Sequence, residues 1–166
     1  MTQLAIDVHP LPHGKEHGDR AKILVVDDEA RVRGLISAIL RRSGYRADLA
    51  TNGPEALDLL RRQVYDLVIT DLKMPGMSGI ALLKEIKAHW PDTDVIMLSG
   101  HATIESAVEA TKLGAYDYLT KPFTVEELQL KVHNCLERRA LERQTKRLSA
   151  VVSLSELSQA LTSNLD

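Results

Sequence analysis

Five side chains in this sequence have the types and spacing to do chemistry together: Asp27, Asp28, Asp71, Ser99 and Lys121. Each stands just beyond a short apolar run. The first two follow Ile23–Val26, Asp71 follows Leu67–Ile69, Ser99 follows Val95–Leu98 and Lys121 follows Ala115–Leu119. Three carboxylates brought together repel and raise one another's pKa unless a positive charge sits among them. A hard divalent cation with oxygen ligands relieves that repulsion. Mg²⁺ suits best, because it tolerates one or two protein carboxylates and keeps several waters. A carboxylate beside Mg²⁺ can act as nucleophile toward a phosphoryl group, giving an aspartyl phosphate. The transfer needs charge neutralised on the equatorial oxygens, which Lys121 can share, and Ser99 can hydrogen-bond a phosphoryl oxygen. Each residue alone has a plainer reading: Asp27 and Asp28 as caps of a first helix, Lys121 as a solvated lysine before a turn, Ser99 as a loop residue. Their joint placement favours a site. Glu29 is expected to begin the first helix, where an acid complements the dipole, and is not assigned to the metal.

The elements that must position these residues repeat one pattern from Lys22 onward, a short apolar run followed by an amphipathic stretch. The runs at 23–26, 67–69 and 95–98 are near-continuously apolar, as in strands buried on both faces. Those at 47–50 and 115–119 are more mixed, which suits sheet edges. Helical stripes lie between them: Val32, Leu35, Ile36, Ile39 and Leu40; Ala56, Leu57 and Leu60; Leu83 and Ile86; and Ile104, Ala107, Val108 and Thr111. Gly44 and Gly114 sit where helix stops belong, and Thr124-Val-Glu-Glu127 is a capping box opening a fifth helix. Alternating strands and helices imply an α/β fold with a parallel sheet covered on both faces. Five such units predict a flavodoxin-like (βα)5 doubly wound sheet of order 2-1-3-4-5, with its crevice beyond the carboxyl ends of the strands. The second strand ends in Ala50-Thr51, offers nothing reactive, and would be the far edge.

Composition bounds the reading. The chain has 166 residues, 44% hydrophobic and 27% charged, which fits one ordinary globular domain with length left over. A net charge of −2 argues against a generic nucleic-acid binder. No run approaches the roughly 18 apolar residues needed to cross a bilayer, and the opening residues lack the apolar stretch of a secretory signal. Cys135 is the sole cysteine, so no intrachain disulfide can form, and a reducing cytoplasm is the expected compartment. Residues 1–21 read as a flexible, solvated leader; His9, His13 and His17 recur every four positions, but the prolines and glycines around them oppose a metal-binding helix.

From residue 22 to 138 the chain resembles the receiver domain of a bacterial two-component response regulator. The matching pieces are Val25-Val-Asp27-Asp28, Asp71-Leu-Lys-Met-Pro75-Gly76-Met-Ser-Gly79, Ser99-Gly100 and Gly114-Ala-Tyr-Asp-Tyr118-Leu-Thr-Lys121-Pro122-Phe123. The resemblance implies that Asp71 accepts a phosphoryl group from a phosphohistidine on a sensor histidine kinase or phosphotransfer protein. It implies that Asp28 holds Mg²⁺ directly, Asp27 largely through water, and the backbone carbonyl of Lys73 as a further ligand. Ser99 and Lys121 would bind the phosphoryl group, Ser99 and Tyr118 would form the switch, and the Lys121–Pro122 bond would be cis. Read without the resemblance, Tyr118 is a half-buried strand aromatic. Lys73 and His101 would flank the phosphoryl group and tune its hydrolysis. Such a domain is no enzyme beyond its own phosphorylation and dephosphorylation. Phosphorylation adds a charge of about −1.5 to −2 and would remodel the face of helix 4, strand 5 and helix 5. Trp90 and Cys135 read as packing residues, the thiol as buried or interfacial.

Residues 139–166 are expected to be helical, a coiled-coil linker and homodimer contact leading to an output module. No proline or glycine occurs from Thr124 to Asp166, and an unbroken helix there would extend ~63 Å at ~1.5 Å per residue. Leu141 and Leu148 are seven apart, as are Leu154 and Leu161, with Leu157 and Leu165 alongside, but the two sets do not share one register. That pattern fits an interrupted coiled coil. Glu137 to Arg147 carries five basic and two acidic residues, with Arg139, Arg143 and Arg147 at intervals of four; a solvated face is the favoured reading, and a nucleic-acid contact is not. The final stretch resembles, weakly, the helix that leads into a GAF domain. A stand-alone receiver or phosphorelay intermediate acting by docking is the alternative function. A haloacid-dehalogenase-type phosphatase would want a second Asp where Lys73 stands, and a dinucleotide or flavin binder would want a phosphate-cradling loop where Asp27 and Asp28 stand.

Overall fold

The near-continuous apolar runs form the middle of the sheet. In the computed structural model, which describes residues 20–101 and 103–164, the strands are β1 (Lys22–Val26), β2 (Arg46–Ala50), β3 (Leu67–Asp71), β4 (Asp94–Ser99) and β5 (Asp117–Thr120). All pair in parallel, in the order β2-β1-β3-β4-β5. The helices are α1 (Ala30–Arg42), α2 (Gly53–Arg62), α3 (Gly79–His89), α4 (Ile104–Lys112) and α5 (Val125–Ser163). The five residues of β3 and the six of β4 are all buried, whereas β2 and β5, the two edges, carry exposed positions. The histidines of the leader and Leu165 lie outside the described residues.

Local chemistry sets where each helix starts. Asn52 caps α2 by accepting the Glu55 N–H at 2.9 Å, and the Glu55 carboxylate accepts the Thr51 N–H at 2.9 Å. Ser78 caps α3 by accepting the Ala81 N–H at 3.1 Å. Thr124 and Glu127 form the expected capping box, each side chain accepting the other's backbone N–H, at 3.0 and 3.1 Å. Gly44 and Gly114 leave α1 and α4 at φ 89° and 100°, a region costly for any residue with a Cβ.

Three expectations are corrected. β5 begins at Asp117 rather than Ala115, because the Ala115 N–H is taken by the Ala110 carbonyl as α4 unwinds. The expected α4 stripe does not face the core: Ile104 is 86% exposed and Val108 45%, and Ala110 is the buried residue of that helix. The helix turns its small side chains inward. In α1, Leu35 is likewise exposed while Ile36, Ile39 and Leu40 are buried.

At the amino ends of the strands, the fully buried Tyr65 donates its hydroxyl to Asp48 at 2.7 Å, and Gln63 donates to the same carboxylate at 2.8 Å. Burial first, then the hydrogen bond and charge of Asp48, push the Tyr65 phenol above its ordinary range.

The chain divides into two units, Met1–Leu130 and Lys131–Asp166, with the break inside α5. In the second unit Val132 and Cys135 are buried, and from Ala140 to Asn164 every described residue is exposed. Leu141, Leu148, Leu154, Leu157 and Leu161 are each at least 60% exposed. Arg139 is 9% exposed, unlike Arg143 and Arg147, so the three arginines do not form one solvated stripe. Among the described residues no helix is long and apolar enough to cross a membrane.

Candidate functional site

Register brings the strand ends level. Val26 pairs with Thr70, Asp71 with Leu98, and Ser99 with Thr120. The residues just past these positions therefore share one rim of the sheet. Asp27, Asp28 and Asp71 each offer a carboxylate oxygen there, all within 4.8 Å of one another.

Asp27 is fully buried and uses both oxygens. Oδ1 accepts the Glu29 N–H at 2.9 Å, and Oδ2 accepts from Lys121 Nζ at 2.8 Å. The plainer reading of Asp27 as a helix-start residue is thus half true, since one oxygen serves the entry to α1 while the other faces the site. Glu29 is the residue before α1, and its own side chain makes no capping bond. Arg33 donates to the Asp27 carbonyl at 2.7 Å, tying α1 to the same turn. Asp28 is exposed and opens the cluster to solvent.

Asp71 is 7% exposed, and its Oδ2 lies 3.4 Å from Lys121 Nζ. Burial pushes its carboxyl above the usual carboxylate range; Lys121 pulls it down, and the neighbouring Asp27 charge pushes it up again. For Lys121 burial works downward, but its hydrogen bond to Asp27 and the charges of Asp27 and Asp71 lift it above the ordinary lysine value. A single ammonium therefore balances two buried carboxylates. It arrives through β5, whose exit is fixed by the Lys121 N–H donating to the Ser99 carbonyl at 2.7 Å. The Lys121–Pro122 peptide is cis.

Ser99 is 2% exposed and accepts the His101 N–H at 3.1 Å. Tyr118 is half-buried on β5 and packs against the core. Lys73 and His101 are exposed, two residues past Asp71 and Ser99 respectively.

Gly79 went without a role in the sequence reading. The first residue of α3 lies so close beneath Asp71 that a Cβ would stand 2.1 Å from the Asp71 carbonyl oxygen and 2.9 Å from Leu72 Cα. Its N–H donates to the Leu72 carbonyl at 2.8 Å. The Asp71–Gly79 stretch quoted above ends on this glycine. Ser106, beside Tyr118, could have been found from the Thr103-x-x-Ser106 spacing, which allows a capping box.

The donor set is all oxygen, with two buried carboxylates and one exposed. It fits a hard divalent cation that keeps part of its water shell. A buried carboxylate, a lysine within hydrogen-bond reach and a hydroxyl on the next strand, at the carboxyl rim of a doubly wound sheet, fit a phosphoacceptor switch.

Comparison with known proteins agrees. The chain belongs to the response regulator receiver domain family, whose model matches residues 23–133. It is 39% identical to the regulatory protein AtoC of Escherichia coli over 134 residues, covering 81% of this chain and 29% of AtoC. The crystal structure of NtrX from Brucella abortus superposes with a TM-score of 0.74 at 39% identity, covering 78% of this chain and 30% of NtrX. The beryllofluoride-activated receiver domain dimer of NtrC4 superposes at 0.69 with 36% identity, covering 71% of this chain and 98% of that one. The chain thus spans less than a third of the length of AtoC. Receiver domains are phosphoacceptor signalling domains, and this one carries the acidic cluster of that class.

Proposed function

We propose that Asp71 receives the phosphoryl group of a phosphohistidine on a sensor histidine kinase or phosphotransfer protein. An Asp71 carboxylate oxygen attacks phosphorus, the P–N bond breaks, and the imidazole leaves. The observation that carries this reading is the single lysine shared between Asp27 and Asp71, at 2.8 and 3.4 Å. Asp27, Asp28, Asp71 and the Lys73 carbonyl would hold Mg²⁺, which when bound supplies positive charge for the phosphoryl oxygens. Lys121 is already within reach of Asp71 and neutralises part of the same charge. Ser99 donates its hydroxyl to a phosphoryl oxygen while its lone pair can still accept the His101 N–H. Tyr118 follows, and the face of α4, β5 and α5 repacks, a local charge event biasing a two-state arrangement. Lys73 and His101, both exposed, tune access of the hydrolytic water. The chain catalyses only its own phosphorylation and dephosphorylation, and the cytoplasm is its compartment.

Residues 22–138 form the receiver in this reading, after a leader over 1–21. Residues 139–166 carry the signal toward an output module and pair with a second copy. The exposed leucines from Leu141 to Leu161 support that pairing. Two measurements test the proposal. Mg²⁺ with acetyl phosphate should label the protein, and Asp71→Asn should abolish the label; equal labelling of the variant sinks the assignment. Removal of residues 145–166 should weaken self-association in sedimentation; an unchanged dimer would place the interface on the receiver.

A further inference from the structure

Gly53, the first residue of α2, is buried, and a Cβ added to it would stand 2.5 Å from Met77 Sδ, 2.8 Å from its Cγ and 2.9 Å from its Cβ. Its φ is not in the left-handed region, which among the described glycines holds Gly44, Gly76 and Gly114. The backbone at Gly53 would accept alanine; the space would not. Because Met77 Cβ is one of the atoms met, swinging the end of the methionine aside does not relieve the clash, and the main chain beneath it must shift. Met77 is half-buried against the core, in the loop joining β3 to α3. That loop is fixed at its start, where the Leu72 N–H donates to the Leu98 carbonyl at 2.8 Å. It is fixed again at its end, where the Gly79 N–H closes on the Leu72 carbonyl and Ser78 caps α3. Lys73 lies between these points, in the same loop as Met77. Across the contact, the turn leading to Gly53 begins at Ala50, whose carbonyl accepts the Asp27 N–H at 3.2 Å. The contact therefore joins the segment that anchors Asp27 to the segment that carries Asp71 and Lys73. It does so from the β2 side of the sheet, whereas Lys121 arrives from β5.

We propose that Gly53 and Met77 are positioning residues for the metal site: the methionine, seated on the bare glycine, steadies the β3–α3 loop and with it the Lys73 carbonyl. The inference rests on the reading of Asp27, Asp28, Asp71 and the Lys73 carbonyl as Mg²⁺ ligands. Mg²⁺ demands near-ideal octahedral geometry, so a small displacement of one protein oxygen costs affinity. Two substitutions disturb the seat in opposite ways. A Cβ at position 53 drives Met77 outward and takes the loop with it. Met77→Ala leaves the seat half empty and lets the loop move.

Mg²⁺ alone is the probe, titrated by calorimetry into the folded full chain as wild type, Gly53→Ala, Met77→Ala and the double variant. Loss of a support behind a metal ligand typically costs about 10- to 100-fold in affinity. Gly53→Ala leaves the three carboxylates in place, so the low end, about tenfold, is expected. Met77→Ala should weaken binding by a smaller factor. Gly53→Ala should cost clearly less in the Met77→Ala background, where Sδ and Cγ are gone and the Cβ contact alone remains. Urea unfolding in EDTA separates this from ordinary packing, which lowers stability but leaves the Mg²⁺ affinity of folded molecules unchanged. If either single variant folds and keeps wild-type affinity, or Gly53→Ala costs as much in both backgrounds, the proposal falls. Should Gly53→Ala not fold, Met77→Ala decides alone, weakened Mg²⁺ binding supporting the proposal and wild-type affinity overturning it. Failure of the wild type itself to bind Mg²⁺ is a distinct result, which overturns the metal reading and this inference with it.

Discussion

Replacing Lys121 by Met removes one ammonium and keeps most of the side-chain volume. Its Nζ stands 2.8 Å from Asp27 and 3.4 Å from Asp71. At an effective dielectric of about 20, unit charges at those separations attract by about 6 and about 5 kcal/mol before desolvation is counted. Desolvation of the lysine offsets much of that, and breaking a buried pair typically costs about 3–5 kcal/mol. The Lys121 side chain is 17% exposed and Asp27 0%, so water reaches one side of the pair and the lower end, about 3 kcal/mol, is expected. The two carboxylates left behind then bind a divalent cation more tightly, because the competing charge has gone. A ligand bound only to the folded state stabilises it by RT ln(1 + [L]/Kd), so a tenfold gain in affinity adds about 1.4 kcal/mol at saturation. Urea unfolding followed by circular dichroism, in EDTA and in millimolar Mg²⁺, measures both quantities. The variant should be the weaker protein in EDTA and should recover more than wild type on adding Mg²⁺. Equal stability in EDTA, or an equal Mg²⁺ increment in both proteins, would refute the charge-balance account of the site.

Two further outcomes follow from features away from the carboxylates. The Tyr65 phenol has a folded-state pKa raised above its unfolded value of about 10. Its contribution is therefore complete below about pH 10 and is lost as pH rises from there toward the folded value. Tyr65→Phe should lower stability near neutrality by about 1–2 kcal/mol and flatten the alkaline decline; denaturant melts through the alkaline range that stay parallel to wild type would contradict this. Gly79→Ala places a Cβ against the Asp71 carbonyl and should cost about 1–3 kcal/mol by overpacking while weakening Mg²⁺ binding measured by calorimetry. Unaltered Mg²⁺ affinity would show that Gly79 does not hold Asp71 in place.

Strands β1, β3 and β4 were legible because burial on both faces demands apolar side chains at nearly every position, and their sequences supply them. Asp27, Asp28 and Asp71 were legible because a polar residue ending such a run has few other reasons to be there, whereas Lys121 follows the mixed run of β5 and was found only through its place at a strand end. Edges were harder to read. The start of β5 depended on whether the Ala115 N–H would be taken by α4 or by the sheet, a competition between two good acceptors. The inward face of α4 was misread because a single buried alanine, Ala110, seats it, while Ile104 and Val108 carry the stronger apolar signal outward. Gly79 and Tyr65 owe their roles to residues that only the fold brings near. Asp48 lies 17 positions from Tyr65, and no local pattern records that meeting.

The bond between Asp27 and Lys121 joins residues 94 positions apart. During synthesis a ribosome delivers Asp27, Asp28 and Asp71 first, and Lys121 only after every other strand has been made. Until β5 docks on β4, Asp27 and Asp71 lack the Lys121 ammonium. The charge balance of the rim is therefore set late, by the last strand of the sheet. A chain stopped before Lys121 would present Asp27 and Asp71 without their counterweight.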